Sequence, residues 1–309
     1  MKTLDAAEKF FQETALELLQ QELPETLNVL AAGLSGRGSE CFGYDDELSC
    51  DHDHELGFGI YLTRADEQKY GFALERFYHR LRKDFLIGKN ANQSSRFGGL
   101  EHGVIIIEDY FERHLGYPGA PQDFRQWLYT PEYAFAEAVN GRVFFDKLQL
   151  WSGLRRTIAE NMPEDVRIKK LAARCVIAAQ SGQYNFSRCM KRGEKGAAML
   201  ALNEFVKNII SMVFLLNRKF APYYKWQFRA LGGLPRLAEL KTPLEDLLFK
   251  EETFEVKRQQ IEDIAQIVIG ELFLQDLSSS SSDYLEDHAL ELMKQIRSRE
   301  IASLHIMEG

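Results

Sequence analysis

Cysteine is scarce: the 309-residue chain holds four, Cys41, Cys50, Cys175 and Cys189, none at metal-binding spacing. That argues against a zinc ribbon or a disulfide framework and points to a reducing cytoplasm. Basic residues are outnumbered, 38 against 46 acidic, for a formal net charge of -8. A protein that coats nucleic acid by charge alone is thereby excluded, though a local basic groove is not. Long apolar runs are missing as well. The longest, IISMVFLL from Ile209 to Leu216, falls far short of the ~20 residues of a membrane span and predicts a buried helix turn. The amino-terminal MKTLDAAEKFFQETALELLQQEL has no continuous apolar stretch of the kind a secretory signal needs. No membrane partner is expected. Neither phosphate-binding fingerprint is present, since no Gly-Lys-Ser/Thr follows the glycines and Cys41 stands where the last glycine of GxGxxG belongs.

What is there reads as two regions. Apolar spacing predicts a helix from Leu4 to Glu22, then a short buried strand in TLNVLAAGL and a glycine turn. HELGFGIYLT predicts a second strand, ADEQKYGFALERFYHRLRKDFL an amphipathic helix and EHGVIII a third strand. A helical crossover makes the second and third strands parallel. A turn-rich connection with a helix near Pro131 to Val139 follows. From Asp165 onward the pattern is almost entirely helical, with helices over 166–180, 196–216, 223–231 and 254–274. The run Ser278 to Ser282 predicts a flexible joint before a last helix over 283–306. The expected fold is α+β, with a small mixed-sheet domain over 1–150 and an all-α bundle over 151–309.

The densest chemistry lies between Gly33 and Leu62. GLSGRGSE leads from a strand into a turn whose backbone N–H groups and Ser39 hydroxyl suit phosphate oxygens. After Ser39 and eleven intervening residues comes Asp-His-Asp-His, Asp51 to His54. On a strand Asp51 and Asp53 share one face, which is costly unless a cation lies between them, while His52 and His54 face the other way as packing residues. Magnesium, a taker of oxygen ligands, fits such a pair. The acidic loop Asp45 to Glu47 reads as a solvated turn or as an added contact to metal or acceptor.

A strand, Gly38-Ser39, a gap of about ten and then Asp-x-Asp resemble the polymerase-β-type nucleotidyltransferase superfamily. Three segments taken in order, GLSGRGSECFGYDDELSCDHD, WLYTPEYAFAEAVNGRVFFD and FLLNRKFAPYYKWQFRAL, resemble its DUF4037-type proteins, a bacterial group with a helical carboxy-terminal domain. The resemblance implies a polymerase-β-like catalytic half. It also implies transfer of a nucleoside monophosphate from an NTP to a hydroxyl, with release of pyrophosphate. Gly36, Gly38 and Ser39 would hold the β- and γ-phosphates, and Asp51 and Asp53 two Mg²⁺ ions, with Mn²⁺ as a substitute. For the third carboxylate, a base or metal ligand, Glu101 at the start of the third strand is favoured, with Glu108 and Asp109 at its end as alternatives.

In the second region Lys225 and Arg229 lie four apart, on one face of a helix, among Tyr223, Tyr224, Trp226 and Phe228. They read either as cover for apolar surface or as cations that meet the triphosphate or an anionic acceptor. The basic turn RCMKRGEKG reads as a solvated loop. The acceptor, a small molecule, an RNA end or a protein, and the oligomeric state are left open by the residues. A second expectation is a nucleotide-binding sensor with weak turnover, or an antitoxin-like regulator of a partner protein.

Overall fold

The structure, a computed structural model, describes residues 2–46, 57–86 and 102–309. The chain opens with α1 (Thr3–Phe10), a π turn (Phe11–Ala15) and α2 (Leu16–Glu22), with helical dihedrals kept through the joints. Leu4, Ala7, Phe11, Ala15 and Leu19 recur at helical spacing, and all are buried. Pro24 starts a 3-10 turn, so the helix ends where the sequence says it should.

Four short strands follow: β1 (Ala31–Leu34), β2 (Gly59–Leu62), β3 (Gly103–Ile106) and β4 (Arg142–Asp146). Their order in the sheet is β3-β2-β1-β4. β2 and β3 are parallel and level, Gly59 opposite Gly103, as the intervening helix α3 (Arg64–Leu81) requires. β1 is antiparallel to both its neighbours. β4 was not expected: RVFFD suits a strand, but its pairing partner lies more than a hundred residues earlier. Beyond β3 come α4 (Ile107–Leu115), α5 (Phe124–Tyr129) and α6 (Glu132–Val139), with α7 (Leu150–Glu160) after β4.

Two compact units result, 1–122 with 134–161 and 123–133 with 162–309. The division is more interleaved than a single boundary at residue 150. Trp151 explains why α7 stays with the sheet: its ring stacks on Tyr61 of β2, with centroids 3.7 Å apart. The first unit's core joins α1, α2 and α3 to the sheet through Phe11, Phe58, Ile60, Leu74 and Phe144.

The second unit is helical: α8 (Glu164–Ala178), a π turn (Ala179–Phe186), α9 (Ser187–Lys191), α10 (Lys195–Leu216), α11 (Tyr224–Leu231), α12 (Lys241–Phe249), α13 (Phe254–Leu274), α14 (Leu285–Gln295) and α15 (Arg299–Ala302). The fold class is therefore α+β, a small mixed sheet near the amino terminus followed by helices. α8 packs on both α10 and α14. α10 is long and apolar enough to cross a membrane by length and composition, yet 61% of its apolar window is buried within the fold, as in a core helix.

Two expectations fail at the carboxy-terminal end. The single helix over 283–306 is broken at Ile296, whose ψ of 120° is extended. There the Asp165 carboxylate accepts the N–H groups of Arg297 (3.2 Å) and Ser298 (2.7 Å), and Ser298 caps a new short helix. Nor is the serine run a loose joint. Ser278, Ser280 and Ser282 each accept the N–H two residues on, from Ser280, Ser282 and Tyr284. The buried His288 closes the ladder, with Nδ1 2.8 Å from the Ser278 hydroxyl and Nε2 2.8 Å from the Ser282 carbonyl.

Candidate functional site

The glycine turn grows out of β1, a strand buried along its whole length. Gly33 must lack a side chain, because a Cβ there would lie 2.4 Å from the Arg142 carbonyl and 2.7 Å from the Trp151 ring. Past the strand, the Ser35 hydroxyl lies 2.7 Å from that of Tyr110 and donates to Asn140 Oδ1 at 3.0 Å. Asn140 then pairs with Gly36 in both directions. Its Oδ1 accepts the Gly36 N–H (2.9 Å) and its Nδ2 donates to the Gly36 carbonyl (2.7 Å). Gly36 has φ 144°, where an L side chain is strained. Asn140 is itself held from behind. Arg155 donates to the Val139 carbonyl (3.0 Å) and to that of Asn140, with its guanidinium over the Trp151 ring. Gly141 has φ 69°, and a Cβ there would lie 1.9 Å from the Leu34 carbonyl. The sequence reading missed Asn140 and Arg155; the Asn-Gly pair before RVFFD was the signal that could have found them.

Held at its root, the turn opens outward. Arg37 is exposed, with Nε 3.4 Å from Glu137, and this buried carboxylate also faces His114 Nδ1 at 3.6 Å. Gly38 and Ser39 are half-buried. Their carbonyls are taken: Gly38 accepts the Cys41 N–H, and Ser39 accepts those of Phe42 and Tyr44. Among the described residues, the N–H groups of Gly38 and Ser39 and the Ser39 hydroxyl make no hydrogen bond. Glu40 lies beside them, its carboxylate filling the space a side chain on Gly38 would need.

Asp51, Asp53 and Glu101 lie outside the described residues, as do Cys50, His52 and His54. Among the described residues no group of three or more His, Cys, Asp or Glu could hold a metal. The two alternatives to Glu101 have structural partners. Glu108 accepts the Arg64 N–H (3.1 and 3.3 Å) at the start of α3, and Asp109 pairs with the Arg64 guanidinium. Both open α4, where the helix dipole favours acids. Asp45 is likewise accounted for. It is buried and caps α1, accepting the Thr3 N–H (2.9 Å) and hydroxyl (3.0 Å). Burial alone would raise its pKa, but the Thr3 donors and the Lys2 charge outweigh it and hold the carboxyl below its usual range.

In the second unit Lys225 and Arg229 are exposed on α11, with Lys225 Nζ 4.8 Å from the Trp226 ring centroid. More unusual is a buried charged set on α8. Lys169 and Lys170 are enclosed. Lys169 donates to the Ile306 carbonyl at 3.1 Å, and Arg174 and Glu132 share the Ser211 hydroxyl. Burial lowers the Lys170 pKa to about 8, with nearby Glu132 opposing that shift.

A family model described as a domain of unknown function, DUF4037, matches residues 127–227. The DUF4037 match takes in Glu137, Asn140 and Arg155, the buried set on α8, and Lys225. It leaves out Arg229, the Gly36 to Ser39 turn and the Asp51-x-Asp53 pattern. The structure is also similar to that of a nucleotidyltransferase-like protein from Exiguobacterium sibiricum 255-15, with a TM-score of 0.39 and 11% identity, over 94% of this chain and 81% of that one. No curated protein matches the chain.

Proposed function

We propose that the protein is a Mg²⁺-dependent nucleotidyltransferase that moves a nucleoside monophosphate from an NTP to a hydroxyl acceptor. The observation that carries this reading is the turn after β1. Asn140 pins its root at Gly36, and the donors of Gly38 and Ser39 make no hydrogen bond among the described residues, with eleven residues between Ser39 and Asp51-x-Asp53. Backbone donors fixed in advance bind phosphate oxygens without reorganising, which makes them effective in a transfer that rests on positioning and charge.

In the reaction the acceptor oxygen bonds to the α-phosphorus while the bond from that phosphorus to the bridging oxygen breaks. Pyrophosphate leaves with the electron pair, and the hydroxyl proton passes to a carboxylate, for which Glu101 is the candidate. Ser39 and the adjoining N–H groups hold the β- and γ-phosphates. Asp51, Asp53 and Glu101 are the carboxylates that would supply oxygen ligands to Mg²⁺. These residues precede β2 and β3, which are parallel and level. Bound there, Mg²⁺ would neutralise the triphosphate and acidify the acceptor hydroxyl. Lys225 and Arg229, exposed on α11 of the second unit, are candidates to bind an anionic acceptor.

The test uses the full chain with α-labelled NTPs, Mg²⁺ and a panel of small-molecule, RNA and protein acceptors. Transfer by the wild type above an Asp51→Ala/Asp53→Ala variant is expected. Equal yields across the panel would remove catalysis, and calorimetric NTP binding without pyrophosphate release would leave a sensor.

A further inference from the structure

Within the second unit a cleft of about 900 Å³ opens at the start of α8. The end of α10, residues 235–236, the end of α13 and the link between α14 and α15 form its other walls. Four arginines line it, Arg167, Arg218, Arg236 and Arg297, against two carboxylates, Glu164 and Asp165. In a chain with net charge -8 this is a local excess of positive charge.

Both acids are already answered. Glu164 is held by Arg167 (Nε at 3.1 Å) and Arg218 (Nη1 at 2.8 Å), which lower its pKa to about 2. Asp165 is taken by the backbone N–H groups of Arg297 and Ser298. Arg236 commits only Nη1, to Glu271 at 2.9 Å. The Arg297 side chain is exposed and makes no ion pair or hydrogen bond among the described residues.

The backbone adds a second observation. Of the four non-glycine residues with positive φ among those described, Arg218 (53°), Leu237 (61°) and Asp276 (55°) line or adjoin this cleft. Arg218 closes α10 in a Schellman turn, with Lys219 N–H to the Phe214 carbonyl at 2.9 Å, at a position where glycine is free of strain. Side chains kept in strained backbone gather at ligand sites.

We propose that this cleft binds a small phosphorylated anion, an oligophosphate or a phosphate ester, through Arg297 and Arg236. The Arg167–Glu164–Arg218 cluster forms its fixed wall. Guanidinium forks match phosphate oxygens two at a time, and convergent forks select multiple charge. The volume suits a small molecule. No aromatic ring is in the lining, so charge and not base stacking is what is read.

Calorimetry of the full chain with tripolyphosphate, in EDTA so that no metal-bridged complex contributes, tests this. Saturable one-to-one binding is expected, weakened about tenfold by Arg297→Gln and similarly by Arg236→Gln. Arg297→Gln should leave thermal melting unchanged, since that side chain has no described partner. Ser39→Ala should leave the affinity unchanged, which separates this cleft from the turn after β1. Absence of binding heat, wild-type affinity in Arg297→Gln, or loss of binding in Ser39→Ala would each overturn the proposal. So would tighter Arg297-dependent binding of a single-stranded oligonucleotide, which would make the ligand a nucleic acid.

Discussion

Two serine-bearing loops end up as opposites, residues 278–284 with five serines and no glycine and residues 35–39 with two of each. Residues 278–284 are tied down from within: the hydroxyls of Ser278, Ser280 and Ser282 each accept the N–H two positions on, and His288 seals the ladder from inside. Residues 35–39 are held at the root by Asn140 and Tyr110 from elsewhere in the chain, while the N–H groups of Gly38 and Ser39 and the Ser39 hydroxyl have no partner among the described residues. What separates a structural loop from a binding loop is where its backbone donors go.

That contrast can be broken at both ends. The largest effect is expected from Gly141→Ala, whose Cβ would meet the Leu34 carbonyl in a left-handed backbone; it should cost about 4 kcal/mol and raise hydrogen exchange around residues 34–36. His288→Ala removes two hydrogen bonds and a buried ring packed near Phe273. It should cost about 3 kcal/mol, seen as a lower Tm, and leave nucleotide binding intact. Asn140→Ala orphans the Gly36 amide and should cost about 2 kcal/mol, with nucleotide affinity falling alongside it. Ser39→Ala is the sharpest case. Stability should move by less than about 0.5 kcal/mol while NTP affinity falls about tenfold, read by calorimetry with Mg²⁺. If Ser39→Ala destabilises the fold instead, its hydroxyl is structural and the two loops are alike.

The sequence foretold what local periodicity encodes. The helix over Phe254–Leu274 was read to the residue, and the parallel pairing of β2 with β3 followed from the helix between them. The strand leading into the glycine turn was equally plain, because Gly36 and Gly38 have little other use after a buried strand. β4 and Asn140 were not legible, since their meaning lies in partners about a hundred residues away. Asp45 was misjudged for the same reason: an acidic loop gives no sign that its first carboxylate is buried against Thr3. The serine run misled by composition, as only a histidine ten residues from Ser278 shows that it is ordered.

The Asn140 clamp also bears on the order of assembly. The residues it joins are 104 apart in sequence, so the turn cannot be set while the chain is short. A nascent chain that has already made β1, β2 and β3 must still wait for residue 140, roughly 2 to 7 s after β3 at ordinary synthesis rates. Until then the Gly36 to Ser39 segment is only a flexible loop. On the proposed function, phosphate-binding competence would be a late product of synthesis, and a chain halted before Asn140 would carry the glycine motif without the Asn140 clamp.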